Sequence, residues 1–301
     1  MTSIIQFQNV SKKFKGHQAL HQLSFEVAEG VIYGLVGRNG AGKTTTLRMI
    51  MRLLQPDQGK ITVMGYEPYH MPLALRQQIG YSSDSMPLIP WLKAEHLLAE
   101  NATFYPGWDD AYVKDWARKL ELDLSKRVFS LSRGDRQKLG FLMAIGHRPR
   151  LLILDEPASG LDPVVRQQFL ESLISFLNEN GTTIILSSHQ LNELERVADH
   201  IGLIQSGQMI LEAELEDLRL AVRKVILMGR GVEQFQSQGL ILDEQRQAGY
   251  VELIYRHWDD AIGNQILSDF PEASLQVKSL DLEAIFIHLQ SQEGKHTHAI
   301  F

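Results

Sequence analysis

The chain has 301 residues, 44% of them hydrophobic, a formal net charge of −6 and no cysteine. That is enough apolar material for one large core and a smaller one, while an acidic balance without a long basic block gives nucleic-acid binding no electrostatic support. Disulfides and Cys-based zinc sites are excluded, which suits a reducing cytosol. In chain order, residues 4–10 and 23–28 read as short strands, with a turn at Lys15-Gly16. A buried strand at 31–36 and a helix at 45–54 enclose the run GRNGAGKT at 37–44. Pro56-Asp57-Gln58-Gly59 is a turn by residue type and leads into a strand at 60–64. From about 72 to 147 the texture is helical, punctuated at Pro106-Gly107. A buried strand at 151–154, a helix at 163–178, a strand at 182–186 and a hairpin of 201–205 with 209–211 around Ser206-Gly207 follow. Such alternation argues a mainly parallel sheet covered on both faces.

Beyond about residue 215 the pattern changes. Strands near 224–228, 239–243, 250–255 and 274–278, with helices near 258–269 and 281–289, predict a small α+β domain. The tail holds His296 and His298 and reads as a frayed terminus rather than a metal site. The N-terminus MTSIIQFQNV lacks the pattern of a signal peptide. No run of about 18 apolar residues occurs, so the chain is expected not to cross a membrane.

The run at 37–44 has the strand and helix that a phosphate-binding loop needs. Gly37, Gly40 and Gly42 let the backbone curl so that its N–H groups face a di- or triphosphate, and the following helix adds its positive end. Arg38, Asn39 and Ala41 complete the loop. Lys43 reaches the β- and γ-phosphates, Thr44 offers a hydroxyl to Mg²⁺, and Thr45 lies beside them. Leu151-Leu152-Ile153-Leu154 delivers Asp155 and Glu156 to the edge of the sheet, where ligands of open α/β sheets bind. Asp155 is placed to hold Mg²⁺ through water and Glu156 to polarise the attacking water. His189, after the next strand, would donate a hydrogen bond to a γ-phosphate and hold the Glu156 carboxylate.

With LSRGD from Leu131, LLILDEP, SGLD and SSH in this order and spacing, residues 1 to about 213 resemble the nucleotide-binding subunit of an ATP-binding-cassette (ABC) transporter. The resemblance implies an α/β P-loop NTPase cassette over 1–213, with a mainly parallel sheet, an N-terminal antiparallel β part and a helical subdomain at about 72–147, followed by an accessory α+β domain over 214–301. It implies ATP and Mg²⁺ as cofactors and ATP hydrolysis as the activity. It further implies a second cassette facing the first head to tail, a separately encoded membrane-spanning permease, no nucleic acid, and a cytoplasmic location on the inner face of the membrane. Ser132 and Gly134 would act on the γ-phosphate held by the second cassette, Asp162 would help join the two sites, and Phe14 would stack on adenine. FYPGWDD at 104–110 is similar to a segment of bacitracin/Ytr-like exporters, which implies export of a drug, peptide or lipid-like substrate.

Two departures stand out. Arg133 and Asp135 replace the family's Gly and Gln, and Asp84 replaces the usual Gln in the loop after Ile79-Gly80-Tyr81. Asp84 is expected to take Mg²⁺ or water. Ser132 and Asp135 fit a capping box, with Asp135 opposing a γ-phosphate and Arg133 offsetting that charge beside the phosphate. The apolar run at 86–92 either packs under the helices or docks a partner helix. A soluble ABC protein without a transporter and a nucleotide-regulated binding module are the alternative functions.

Overall fold

The computed structural model describes residues 2–236 and 241–292. The start of the strand expected near 239, and His296 and His298, lie outside the described residues. The chain divides into two compact units, Met1–Glu212 and Ala213–Phe301.

The first unit runs β1 (Ser3–Phe14), β2 (His17–Ala28), β3 (Ile32–Val36), α1 (Lys43–Ile50), β4 (Gln58–Val63), α2 (Leu73–Arg76), β5 (Ile79–Ser83), α3 (Ala94–Ala102), α4 (Asp110–Lys119), α5 (Arg133–Ile145), β6 (Leu151–Asp155), α6 (Pro163–Asn180), β7 (Thr183–Ser188), α7 (Leu191–Leu194), β8 (His200–Gln205) and β9 (Gln208–Glu214). A six-stranded sheet has the order β5-β6-β7-β3-β8-β9, and an antiparallel three-stranded sheet has the order β2-β1-β4. β3, β6 and β7 are buried at every position, as continuous apolar runs in a sheet covered on both faces should be. β5, β6, β7, β3 and β8 pair in parallel. The segments after Val36, Ser83, Asp155 and Ser188 therefore emerge at one edge, which is the edge where such sheets bind ligands.

The strand β5 corrects the helical reading of 72–147. Its residues IGYSS are short and half polar, yet they pair with Leu151–Asp155 at the sheet's edge. After the single-turn α2, the helices of this stretch begin at Ala94. They are held by aromatic packing among Trp116, Phe141, Phe169 and Phe176, with edge-on centroid distances of 5.2 to 6.1 Å. The segment at 104–110 has a structural role here. Tyr105 stacks on His147 at 3.9 Å, the Trp108 ring lies over Gly146, and Asp109 caps α4 while pairing with Arg148 at 3.0 Å. It closes the C-terminal end of α5 against the start of α4.

The second unit contains α8 (Leu215–Ala221), β10 (Arg223–Met228), β11 (Ile241–Gln247), β12 (Tyr250–Tyr255), α9 (Asp260–Asp269), β13 (Ser274–Ser279) and α10 (Leu282–Gln292). Its antiparallel sheet has the order β11-β12-β10-β13. Val225, Leu227, Val251, Leu253, Tyr255 and Ile266 form its core. The sequence pattern does not mark α8, whose 7 residues, about two turns, carry little periodicity.

Candidate nucleotide site

The loop after β3 turns back on itself before α1, with the Ala41 N–H donating to the Arg38 carbonyl at 3.0 Å. Gly42 has φ of 116°, and a Cβ there would meet Leu20 of β2 at 2.6 Å, so conformation and space both demand glycine. No side chain caps the first turn of α1, whereas Asp109, Ser132 and Asp162 cap α4, α5 and α6. The first N–H groups of α1 thus face the loop's interior as donors for an anion.

Lys43 is buried, and its Nζ lies 2.6 Å from the Gly37 carbonyl and 3.2 Å from Glu156 Oε1. Asp155, also buried, accepts from Thr44 Oγ1 at 3.1 Å and from Ser187 Oγ at 2.7 Å, both on Oδ1. Two hydroxyls converging on one carboxylate form a hard-oxygen donor set that fits Mg²⁺ shared with substrate phosphates. Among the described residues no group of three or more His, Cys, Asp or Glu could hold a metal by itself.

Glu156 adopts φ of 52°, an uncommon conformation for a residue with a side chain. Its N–H donates to Ser187 Oγ at 2.9 Å. The carboxylate spans Lys43 on one oxygen and His189 Nδ1, at 2.7 Å, on the other. The loop bearing His189 is fixed by Ser188 Oγ on Glu193 at 2.6 Å and by Arg166 of α6, which reaches Gln190 at 2.7 Å and Glu193 at 3.3 Å. The Phe14 ring is 40% exposed at the end of β1, with Lys12 Nζ 5.6 Å from its centroid. Arg38, Asn39, Gly40, Ala41 and Thr45 lie in or just after the loop between β3 and α1.

At the signature turn, Ser132 Oγ accepts the Asp135 N–H at 3.0 Å, and Asp135 Oδ2 accepts the Ser132 N–H at 3.4 Å, completing the capping box. A Cβ at Gly134 would meet Leu161 at 2.8 Å. Asp162 caps α6 through the N–H groups of Val164 and Val165, both at 3.1 Å.

Arg133 and Asp84, both departures from the family pattern, meet each other in the structure. Arg133 Nη2 and Nε donate to Asp84 at 2.6 and 3.2 Å, and Nη2 also reaches Ser159 Oγ at 3.2 Å. Asp84 raises the Arg133 pKa through that hydrogen bond. Gln137, buried, donates to Asp84 Oδ1 at 3.1 Å and to the Ser159 carbonyl. Both Asp84 oxygens are therefore engaged by protein donors, while the Asp84 N–H keeps it beside Asp155 by donating to that residue's carbonyl at 3.3 Å.

Sequence reasoning missed Ser187, Gln137 and Arg166. Ser187 had a signal: a polar pair, Ser187-Ser188, closing an otherwise apolar strand must satisfy its hydroxyls in the interior.

A family model described as ABC transporter matches residues 20–159. The bacitracin transport ATP-binding protein BcrA of Bacillus licheniformis is 32% identical, over 86% of this chain and 81% of its own length. The ABC transporter ATP-binding protein YtrB of Bacillus subtilis (strain 168) is 31% identical, over 72% of this chain and 74% of its own. A solved structure of the ATP-binding subunit of an ABC transporter matches with a TM-score of 0.64 at 30% identity, covering 72% of this chain and 92% of that one. Likeness of this extent, in sequence and in fold, around a phosphate loop and carboxylate pair so arranged, means that the chain belongs to the ABC transporter family, as one of its ATP-binding ATPase subunits.

Proposed function

We propose that this chain, as a cassette over residues 1–213 with an accessory domain over 214–301, energises a separately encoded membrane-spanning permease from the inner face of the membrane. The proposed cargo is a drug, peptide or lipid-like compound moved outward; the name of the BcrA relative, a bacitracin transport protein, supports the drug or peptide part of that reading. A second cassette would complete each site head to tail, its Ser132 and Gly134 facing the γ-phosphate and its Asp162 joining the two sites.

The observation that carries the partner reading is a groove of about 250 Å³ beside the nucleotide site, lined by Met86, Leu88, Pro90, Val128 and Phe129 with Asp84 and Arg133 at its polar side. Its walls are tied together by the N–H groups of Val128 and Phe129 on the Leu92 and Pro90 carbonyls, both at 2.9 Å. Trp91 is 71% exposed and Phe129 63%, while Met86, Leu88 and Leu92 are half-buried. Apolar walls with exposed aromatics suit an amphipathic helix laid into them. No described helix is long and apolar enough to cross a membrane, so spanning would fall to the partner.

In the proposed reaction, Phe14 stacks on adenine, and Lys43 and the loop N–H groups hold the β- and γ-phosphates. Thr44 and Asp155 would hold Mg²⁺, which supplies neutralisation of phosphate charge. A triphosphate competes with Glu156 for the Lys43 ammonium, freeing that carboxylate to orient water while His189 keeps its other oxygen in place. Glu156→Gln should retain ATP binding and slow hydrolysis by about 10²- to 10⁴-fold; an unchanged rate in the partner-bound complex overturns the assignment. Trp91→Ala should reduce co-purification with the permease at unchanged nucleotide affinity, and undiminished co-purification overturns the docking role.

A further inference from the structure

Two of the residues that depart from the family pattern, Arg133 and Asp84, face each other. Their ion pair is a two-pronged fork, at 2.6 and 3.2 Å, in the geometry a guanidinium and a carboxylate prefer. The fork sits in a prepared seat. Ser159 Oγ takes a third contact from Arg133 at 3.2 Å. The guanidinium lies against Gly160, which has φ of 80° and where a Cβ would meet it at 2.7 Å. Gln137 then ties Asp84 to the Ser159 carbonyl. Three segments are thereby joined: the loop after β5, the first turn of α5, and the loop after Glu156.

The charge around that turn gives the pair a consequence. Asp135 stands in the same turn as Arg133. The turn's other arginine, Arg136, is drawn back to the Leu131 carbonyl at 2.6 Å. With Arg133 neutralised by Asp84, the turn presents the Asp135 carboxylate with no partnering guanidinium, and like charges oppose the approach of a phosphate. With Arg133 turned outward, the same turn offers a guanidinium to that phosphate. The pair is also half in water, with side-chain exposures of 53% and 32%, so exchanging one anion for another is inexpensive.

We propose that Asp84 and the γ-phosphate held by the second cassette compete for the Arg133 guanidinium, so that the Arg133–Asp84 pair is an autoinhibitory latch on ATP-driven closure. The proposal rests on the head-to-tail reading given above. Opening the latch releases Asp84, whose carboxylate lines the docking groove, so closure changes the charge that a permease segment meets there. Arg133 acts as a positioning residue while latched and as a phosphate ligand when released.

The test is ATP-dependent self-association of the full chain in a Glu156→Gln background, read by light scattering or sedimentation with Mg²⁺-ATP. Asp84→Asn removes the competing charge and should tighten association about tenfold, equivalent to roughly 1.4 kcal/mol. Arg133→Gln should loosen it, and in the double variant the gain from Asp84→Asn should vanish, because no guanidinium is left to release. A purely structural role for the pair predicts instead that each single change loosens association. If the parent associates and Asp84→Asn leaves it unchanged or weaker, the latch is wrong and the head-to-tail reading stands. If no variant associates with ATP, the head-to-tail reading fails and the latch with it.

Discussion

The nucleotide end and the signature end of the first unit are both held by networks of charged and hydroxyl groups, but on opposite sides of the water boundary. Lys43, Asp155 and Ser187 are buried, with relative exposures of 5%, 5% and 0%. The side chains of Arg133 and Asp84 are 53% and 32% exposed. Buried groups strengthen one another in low dielectric and are costly to leave unpaired. Exposed ones are screened and contribute little to stability. The first end can therefore hold a fixed geometry for chemistry, while the second can exchange partners. The departures from the family pattern fall at the second end, where substitution is cheap.

The largest break in that contrast is Lys43→Ala. It removes the charge that meets the phosphates and leaves Glu156 with only His189, whose Nδ1 lies at 2.7 Å. ATP affinity should fall by about 100-fold, the order expected when one member of a buried charged contact is truncated. Calorimetric titration with Mg²⁺-ATP measures it, and a loss under threefold would show that loop N–H groups alone carry binding.

How far the sequence could be read follows the same boundary. The edge of the sheet was legible because β3, β6 and β7 carry short buried apolar runs that lead into the glycine-rich loop, Asp155-Glu156 and Ser187-Ser188-His189. Glu156 and His189, 33 positions apart in sequence, come within 2.7 Å because β6 and β7 are parallel neighbours in register. The strand β5 was not legible, since Gly80 and the serines at 82 and 83 give it neither alternation nor length. The partners of Arg133 were hidden for a different reason. An exposed fork is chosen by which loops the fold brings together, and local pattern does not encode the meeting of residues 84, 133 and 159. The segment at 104–110 was legible as a subgroup mark, but its physical task, closing α5 against α4, needed coordinates.

A second test asks whether burial confers conditional stability away from the site. Burial pushes the His147 imidazole down from its ordinary 6.5 to about 4. Between those values the unfolded chain binds more protons than the folded one, so this contribution is complete above about pH 6.5 and is lost as pH falls toward 4. His147→Phe keeps an aromatic ring against Tyr105 and removes the titration. Between pH 7 and pH 5 the parent should lose on the order of 2 kcal/mol more than this variant. Urea midpoints at the two pH values measure the difference, and parallel losses would break the argument.

Ser187→Ala should come next, at about 1–3 kcal/mol, since it strips a donor from buried Asp155 and an acceptor from the Glu156 N–H. Thermal unfolding measures the loss, which should be accompanied by slower hydrolysis because the Asp155 carboxylate and the Glu156 backbone lose their shared anchor. A stable variant with normal turnover would mean that Thr44 and water replace the hydroxyl at no cost.

The smallest effect sharpens the comparison at the exposed end. Asp135→Ala removes the reciprocal half of the capping box and one anion from the positive end of α5, while Ser132 still accepts the N–H of residue 135. The loss in stability should be about 0.5–1 kcal/mol, below that of Ser187→Ala although each substitution removes side-chain hydrogen bonding. The same change takes a carboxylate out of the turn that is proposed to face a phosphate, so ATP-dependent self-association in the Glu156→Gln background should tighten even as the fold weakens slightly. The two readouts moving in opposite directions is the diagnostic result. If stability falls and association falls with it, Asp135 is only a helix cap, and the charge on the signature turn has no bearing on closure.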